Sequence, residues 1–286
     1  MTPTLSLRPF RCALIALLLC SPLRTAAQTY EQYVEQALAA VATDSIEQAE
    51  TLFRQALRTA PDDYRNALIY CNLGKIKEAQ YWQDTRRHNL ADAALENYNL
   101  ALGIMPASVP MLEARAGFCM KLEQHARALR DFTTILDVAP NHLQARLHRA
   151  YCYSRLRRYD EARNDYQRVL EQEAQNTTAQ LGLAIICQQT QKLSEAIERM
   201  NFLIDAHPDD ADFYSVRASM YAEHRQPELA LFDLDHAIAL EPENANFLLA
   251  RAHLHQQLGN ASRARHDFER AAALGTPSVH TSKTQK

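Results

Sequence analysis

The apolar residues of this chain recur with two superposed periods. Over short stretches they return every three or four positions, the spacing of one face of an α-helix, and no run alternates apolar and polar residues as a half-buried strand does. Over longer distances the whole pattern repeats. Ala150 and Ala162, Ala184 and Ala196, Ala218 and Ala230, and Ala252 and Ala264 are pairs 12 residues apart, each pair displaced by 34 from the one before. A chain of this kind is predicted to fold as consecutive helix–turn–helix units.

Counting slots from the start of each first helix, the units begin at Tyr30, Ala67, Val109, Leu143, Thr177, Ala211 and Ala245. Slot eight holds Ala37, Gly74, Ala116, Ala150, Ala184, Ala218 and Ala252. Slot twenty, counted past an insertion in the second unit, holds Ala49, Ala94, Ala128, Ala162, Ala196, Ala230 and Ala264. Two antiparallel helices approach closely only where neither carries bulk, so these slots mark the crossing point of each hairpin. Slot twenty-four supplies a large filler: Phe53, Tyr98, Phe132, Tyr166, Met200, Leu234 and Phe268. Pro61, Pro106, Pro140, Pro208 and Pro242 stop second helices. Asp63, Ser108, Asn141, Asn176, Asp210 and Asn244 are candidate caps for the helices that follow.

The predicted fold is therefore all-α, with about seven repeats across residues 28–277, divided as 30–63, 64–108, 109–142, 143–176, 177–210, 211–244 and 245–277, and a polar tail over 278–286. The first junction is longer by 3 residues and the second unit by 8; the second excess lies near residues 80–89 and contains the only tryptophan, Trp82.

This arrangement of small and large slots resembles the tetratricopeptide repeat family over residues 30–277. The resemblance implies a right-handed superhelix, an α-solenoid, in which slots two, five, six, nine, twelve and thirteen of the first helices line a concave groove. In the middle units those slots include Gly117, Leu147, His148, Tyr151, Arg155, Leu181, Gly182 and Ile185. Glycine is unfavourable inside a helix, so Gly117 and Gly182 beside Tyr151 suggest close approach of a ligand. The alternative is that they relieve crowding between neighbouring first helices. The chain departs from the family at slot four, where an aromatic residue gives way to Arg146 and Gln180. The Lys and Asn with which some members grip C-terminal carboxylates have only Asn72 and Lys75 as counterparts, and that function is not carried over.

A second regularity concerns charge. Slot seven holds Arg115, Arg149, Arg217 and Arg251 in four units, and slot twenty-three of the same four holds Asp131, Asp165, Asp233 and Asp267. The other three units lack both. Because Arg and Asp appear and vanish together, a structural ion pair inside each of these hairpins is expected. Basic residues such as Arg86, Arg87, Arg157 and Arg158 gather at turns within hairpins and acids such as Asp209, Asp210, Glu241 and Glu243 at turns between them, as helix dipoles favour.

Composition narrows the function. Arg8 and Arg11, an apolar stretch over residues 12–20 and then Thr25, Ala26 and Ala27 form the pattern of a secretory signal peptide over residues 1–27. An alternative is a lipoprotein anchored at Cys20, although Leu19 stands where a lipobox carries a small residue. Removing three arginines and no acid with that leader moves the formal charge from −3 to −6, which leaves no electrostatic footprint for nucleic acid. The leader's apolar run is too short to span a bilayer, so no transmembrane segment is expected after its removal. Cys71, Cys119, Cys152 and Cys187 sit inside first helices of different units and are expected to be small buried residues rather than disulfides. No nucleotide-binding glycine motif or nucleophile elbow occurs, and His253 and His255, two apart, lie on different helix faces, so neither a cofactor nor a metal site is expected. The leading expectation is a non-enzymatic protein–protein interaction scaffold of the bacterial periplasm or cell envelope that binds a peptide or partner helix in the groove. A glycan or cell-wall polymer stacking on Tyr151 and Trp82 is the alternative. Self-association through the last hairpin, at Leu254 and Leu258, is a further expectation.

Overall fold

The computed structural model describes residues 26–275, with side chains from residue 29 onward. The expected leader, up to residue 25, and the expected polar tail lie outside the described residues. Among the described residues there are fourteen α-helices and no strand. The protein is all-α, an α-solenoid of helix hairpins.

The described residues form two compact units, divided between Ala145 and Arg146. The first contains the hairpins α1 (Ala26–Ala42) with α2 (Ile46–Thr59), α3 (Asn66–Gln83) with α4 (His88–Ile104), and α5 (Val109–Lys121) with α6 (His125–Val138). The second begins inside α7 (Leu143–Arg155), which pairs with α8 (Tyr159–Gln172). It continues with α9 (Thr177–Gln189) and α10 (Leu193–Ala206), α11 (Ala211–Glu223) and α12 (Pro227–Leu240), and α13 (Ala245–Gln257) and α14 (Ala261–Ala273). Within the first unit α3 packs against α5 as well as against its own partner, and within the second α11 packs against α13.

The recurring small residues account for the close crossings. Every slot-eight and slot-twenty residue is buried, most of them completely. The slot-twenty-four side chains are buried from Phe53 through Leu234, whereas Phe268 in the last described hairpin is only partly covered, because no further hairpin follows it among the described residues. Most of the favourable free energy comes from this apolar burial, about 25 cal/mol per Å².

Six of the seven described turns within hairpins share one device, the turn from α3 to α4 being the exception. The residue at slot fifteen is left-handed at Asp44, Glu123, Arg157, Gln191, Arg225 and Gly259, with φ between 57° and 75°. The amide after it bonds back across the last helical turn, as Gln226 N does to the Tyr221 carbonyl at 2.8 Å, which satisfies otherwise orphaned carbonyls. Only Gly259 adopts this conformation without a steric cost. Between hairpins, helices end two residues before Pro61, Pro106, Pro140, Pro208 and Pro242.

The capping expectations divide. Asn176, Asp210 and Asn244 accept from the backbone of the next helix, at 3.0–3.1 Å. Ser108 makes no side-chain cap. Ahead of α7 the acceptor is His142 Nδ1, bonded by Ala145 N at 3.2 Å, one residue beyond Asn141. Asp63 instead accepts from Arg65, whose guanidinium holds its carboxyl below the usual range. The excess near residues 80–89 lengthens both helices of the second hairpin. Trp82 is part of that packing, edge-on to Tyr81 and to Phe118 at 5.0 and 6.3 Å between centroids. All four cysteines are buried and none forms a disulfide. No described helix is long and apolar enough to cross a membrane.

Candidate functional site

The first helices of the second unit present one exposed residue per hairpin at slot nine: Tyr151 on α7, Ile185 on α9, Ser219 on α11 and His253 on α13. Helical geometry places this slot about 100° from the buried alanine at slot eight, far enough round to leave the hairpin seam. His148 and Arg155 are also exposed. Arg155 Nη1 donates to the Tyr151 hydroxyl at 3.3 Å, and the Arg155 guanidinium carbon lies 6.0 Å from the ring centroid, so the ring is held from one side.

Slots twelve and thirteen behave differently. Gln188 is buried, and its Nε2 donates to Glu223 Oε1 at 2.7 Å and to Ser219 Oγ at 3.3 Å, tying α9 to α11. The same slot relationship recurs in the first unit, where Lys121 Nζ donates to Glu78 Oε1 at 2.9 Å. Glu78 also accepts the Tyr98 hydroxyl at 2.8 Å. These positions join successive first helices instead of facing a ligand. The residues are easily overlooked because each partner reads alone as an ordinary surface polar group; the signal is their pairing across one repeat.

Three residues expected to face a ligand or another molecule are corrected. Leu147 is buried at 5% exposure: three positions before Ala150, it shares the packed face of α7. Gly182 admits no ligand, since a Cβ there would fall inside the Tyr166 ring. Gly74 accommodates Tyr98 in the same way, with the ring 2.7 Å from a built Cβ. A tyrosine at slot twenty-four is thus matched in both cases by a glycine against its ring. Leu254 is buried among Ala218, Ala230 and Leu234, which removes it from any self-association surface, while Leu258 stays exposed. Leu181 is partly buried against the core of the second unit. Gly117 belongs to the first unit, and nothing lies within 4 Å of a Cβ built on it.

The arginines of slot seven form two-pronged bonds with the aspartates of slot twenty-three. Nε and Nη2 donate to the two carboxylate oxygens at 2.9 and 2.6 Å for Arg115 and Asp131, and at 2.7 and 2.8 Å for Arg149 and Asp165. The distances are 2.8 and 2.7 Å for Arg217 and Asp233, and 2.8 Å twice for Arg251 and Asp267. All four aspartates are buried. Burial pushes the Asp267 carboxyl up, but the bonds and field of Arg251 outweigh it and hold it below the ordinary range. The free Nη1 of three of these arginines reaches the preceding hairpin, bonding Asn99 at 2.7 Å, Asn201 at 2.8 Å and Asp235 at 2.6 Å. This third prong is legible at slot twenty-five of the hairpin before each arginine. Of the departures at slot four, Arg146 joins this network, its Nη1 3.6 Å from Asp165, whereas Gln180, in a repeat without the pair, accepts from Arg199 Nη1 at 3.4 Å.

Family profiles described as tetratricopeptide repeat match residues 120–176 and 156–220. Among curated proteins, DnaJ homolog subfamily C member 7 of Mus musculus is 32% identical over 116 residues, covering 38% of this chain and 23% of that protein, so the chain spans under a quarter of that relative's length. Among solved structures, a tetratricopeptide repeat protein from Parabacteroides merdae superposes with a TM-score of 0.73 at 27% identity, over 88% of this chain and 95% of that one. YrrB, described as a tetratricopeptide repeat protein with an unusual peptide-binding site, matches at 21% identity with a TM-score of 0.50, over 70% of this chain and 97% of that one.

Proposed function

We propose that this chain, a tetratricopeptide repeat protein, is an interaction scaffold that holds an extended peptide or a helix of a partner protein along the first-helix face of its second unit. The observation that carries this reading is the slot-nine row. Tyr151, Ile185, Ser219 and His253 give one exposed side chain per hairpin on a helix whose neighbouring positions are fixed by packing. A row at a constant interval suits a partner read along its length, with pockets or contacts for side chains at intervals. Peptide binding by YrrB, a protein of the same fold, supports the reading. Export to the periplasm or cell envelope belongs to the same proposal and rests on Arg8, Arg11 and the apolar and small residues that follow them.

Affinity capture from an envelope extract tests it. A defined protein retained by the wild type and lost with the double variant Tyr151→Ala, Ile185→Asp supports the scaffold. Retention on insoluble polysaccharide with no protein partner overturns it in favour of the glycan reading.

A further inference from the structure

Helix α12 differs from the other second helices at one exposed slot. Its packed face is Ala230, Asp233, Leu234, Ala237 and Ile238, all buried. Its opposite face carries Leu229, Phe232 and His236, all exposed, with Phe232 65% exposed. At the slot of Phe232 the other six hairpins carry Thr51, Glu96, Arg130, Asn164, Glu198 and His266, every one polar. A phenylalanine there lies mostly outside the hairpin's packed seam.

The ring is also held in place. His236 stacks on Phe232, with centroids 6.5 Å apart and planes at 27°, and its ring also lies 4.4 Å from that of Tyr214. Tyr214 is buried, and its hydroxyl donates to the Pro208 carbonyl at 3.1 Å. A ladder of three rings therefore runs from the core of the second unit to an exposed aromatic face, which lowers the entropy lost when a partner covers it.

Charge specifies the partner. The chain as a whole has 34 acids and 31 bases, yet residues 193–243 carry twelve Asp and Glu against Arg199, Arg217 and Arg225 and no lysine. Arg217 is taken up by Asp233 and Arg199 by Glu195. Glu198, Asp205, Glu228, Glu241 and Glu243 are exposed and have no ion pair among the described residues. Glu228 lies one turn before Phe232 on the same helix. Apolar anchors within a field of one sign attract and orient a segment of the other sign.

We propose that the exposed face of α12, centred on Phe232, docks a Lys- or Arg-rich segment of another protein that inserts an apolar side chain beside Phe232. This surface lies on a second helix, whereas the slot-nine row lies on first helices, so the two sites are occupied independently.

The test is selection of a random-peptide display library on the wild-type protein after depletion on the Phe232→Ser variant. Enriched peptides that combine Lys or Arg with an aromatic or large aliphatic residue are expected. One such peptide, made synthetically, is expected to bind the wild type about tenfold or more tightly than Phe232→Ser, to weaken with Glu198→Lys and Glu228→Lys together, and to weaken as salt is raised. Its affinity is expected to be unchanged in Tyr151→Ala, Ile185→Asp, which separates this site from the scaffold reading. Because Phe232 is exposed, Phe232→Ser is expected to keep the wild-type helical content and melting temperature. Failure to enrich any peptide after depletion, or enrichment of acidic or uncharged ones, overturns the proposal. So does a wild-type dimer in sedimentation that Phe232→Ser dissolves, since the face would then cover a second copy.

Discussion

The guanidinium of Arg217 grips both carboxylate oxygens of Asp233, at 2.8 and 2.7 Å, and the carboxylate it grips is completely buried. Removing Asp233 alone strands a cation in a largely dry setting, so Asp233→Ala is expected to cost about 3–5 kcal/mol of unfolding free energy. The double variant Arg217→Met, Asp233→Leu is expected to recover most of it. Urea unfolding of the full cycle checks this, and additive losses would show that the two residues do not act as a pair.

Two glycines of first helices, Gly182 at slot six and Gly117 at slot nine, are expected to respond with opposite signs. Gly182→Ala drives a methyl into the Tyr166 ring and is expected to destabilise by about 1–3 kcal/mol. Gly117→Ala meets open space and gains the helical preference of alanine, about 0.5–1 kcal/mol of stabilisation. Melting temperatures of the two variants decide the matter, and a loss at both positions contradicts it.

Glu78 holds Lys121 with one oxygen and the hydroxyl of fully buried Tyr98 with the other. Burial, and then the nearby Glu78 charge, push the Tyr98 phenol up, so it remains a donor. Glu78→Ala leaves that hydroxyl without its acceptor and is expected to cost about 1–3 kcal/mol. Adding Tyr98→Phe removes the stranded group and is expected to restore part of the loss in the same unfolding assay.

The last hairpin is expected to weaken in two acid steps. Burial holds the His255 ring below its ordinary 6.5, so the fold favours the neutral form; its contribution is full above 6.5 and is lost as pH falls through the folded value. Asp267, held below its ordinary 3.8, contributes above 3.8 and loses that contribution as pH falls through its own folded value. Amide exchange across α13 and α14, corrected for intrinsic rates, reads both steps. His255→Gln is expected to abolish the first step only, and protection that stays flat from pH 7 to 4 in the wild type contradicts the assignment.

Gln191 sits at φ 60°, a conformation that penalises a side chain. Gln191→Gly is expected to stabilise by about 1 kcal/mol, less the entropy glycine adds to the unfolded chain. A drop in melting temperature would mean that the Gln191 side chain makes a compensating contact.

Much of the architecture is legible in the residue order because it rests on size at fixed intervals. Ala150 and Ala162 can only be explained by two helices crossing, and the shared presence or absence of Arg149 and Asp165 points to one hairpin. What interval reasoning misreads are positions whose role depends on a neighbour in another repeat. Gly182 looks like a vacancy for a ligand until Tyr166 is seen to fill it, and Leu147 looks outward until its distance from Ala150 around the helix is taken into account. Gln188 and Glu223 are each unremarkable polar residues until their bond joins two helices. The turns are a further case, since Glu123, Arg157 and Gln191 occupy a left-handed site that composition alone assigns to glycine.

Residue order by itself determined the number of hairpins, the places where they cross and the charge pairs within them, because helix formation and close approach depend on side-chain size and spacing along a single chain. Only the tertiary structure decided which outward positions remain open, because that depends on side chains arriving from adjacent hairpins. Tyr166 closes Gly182, and Glu223 engages Gln188. Each is a contact between groups whose identities no single repeat contains.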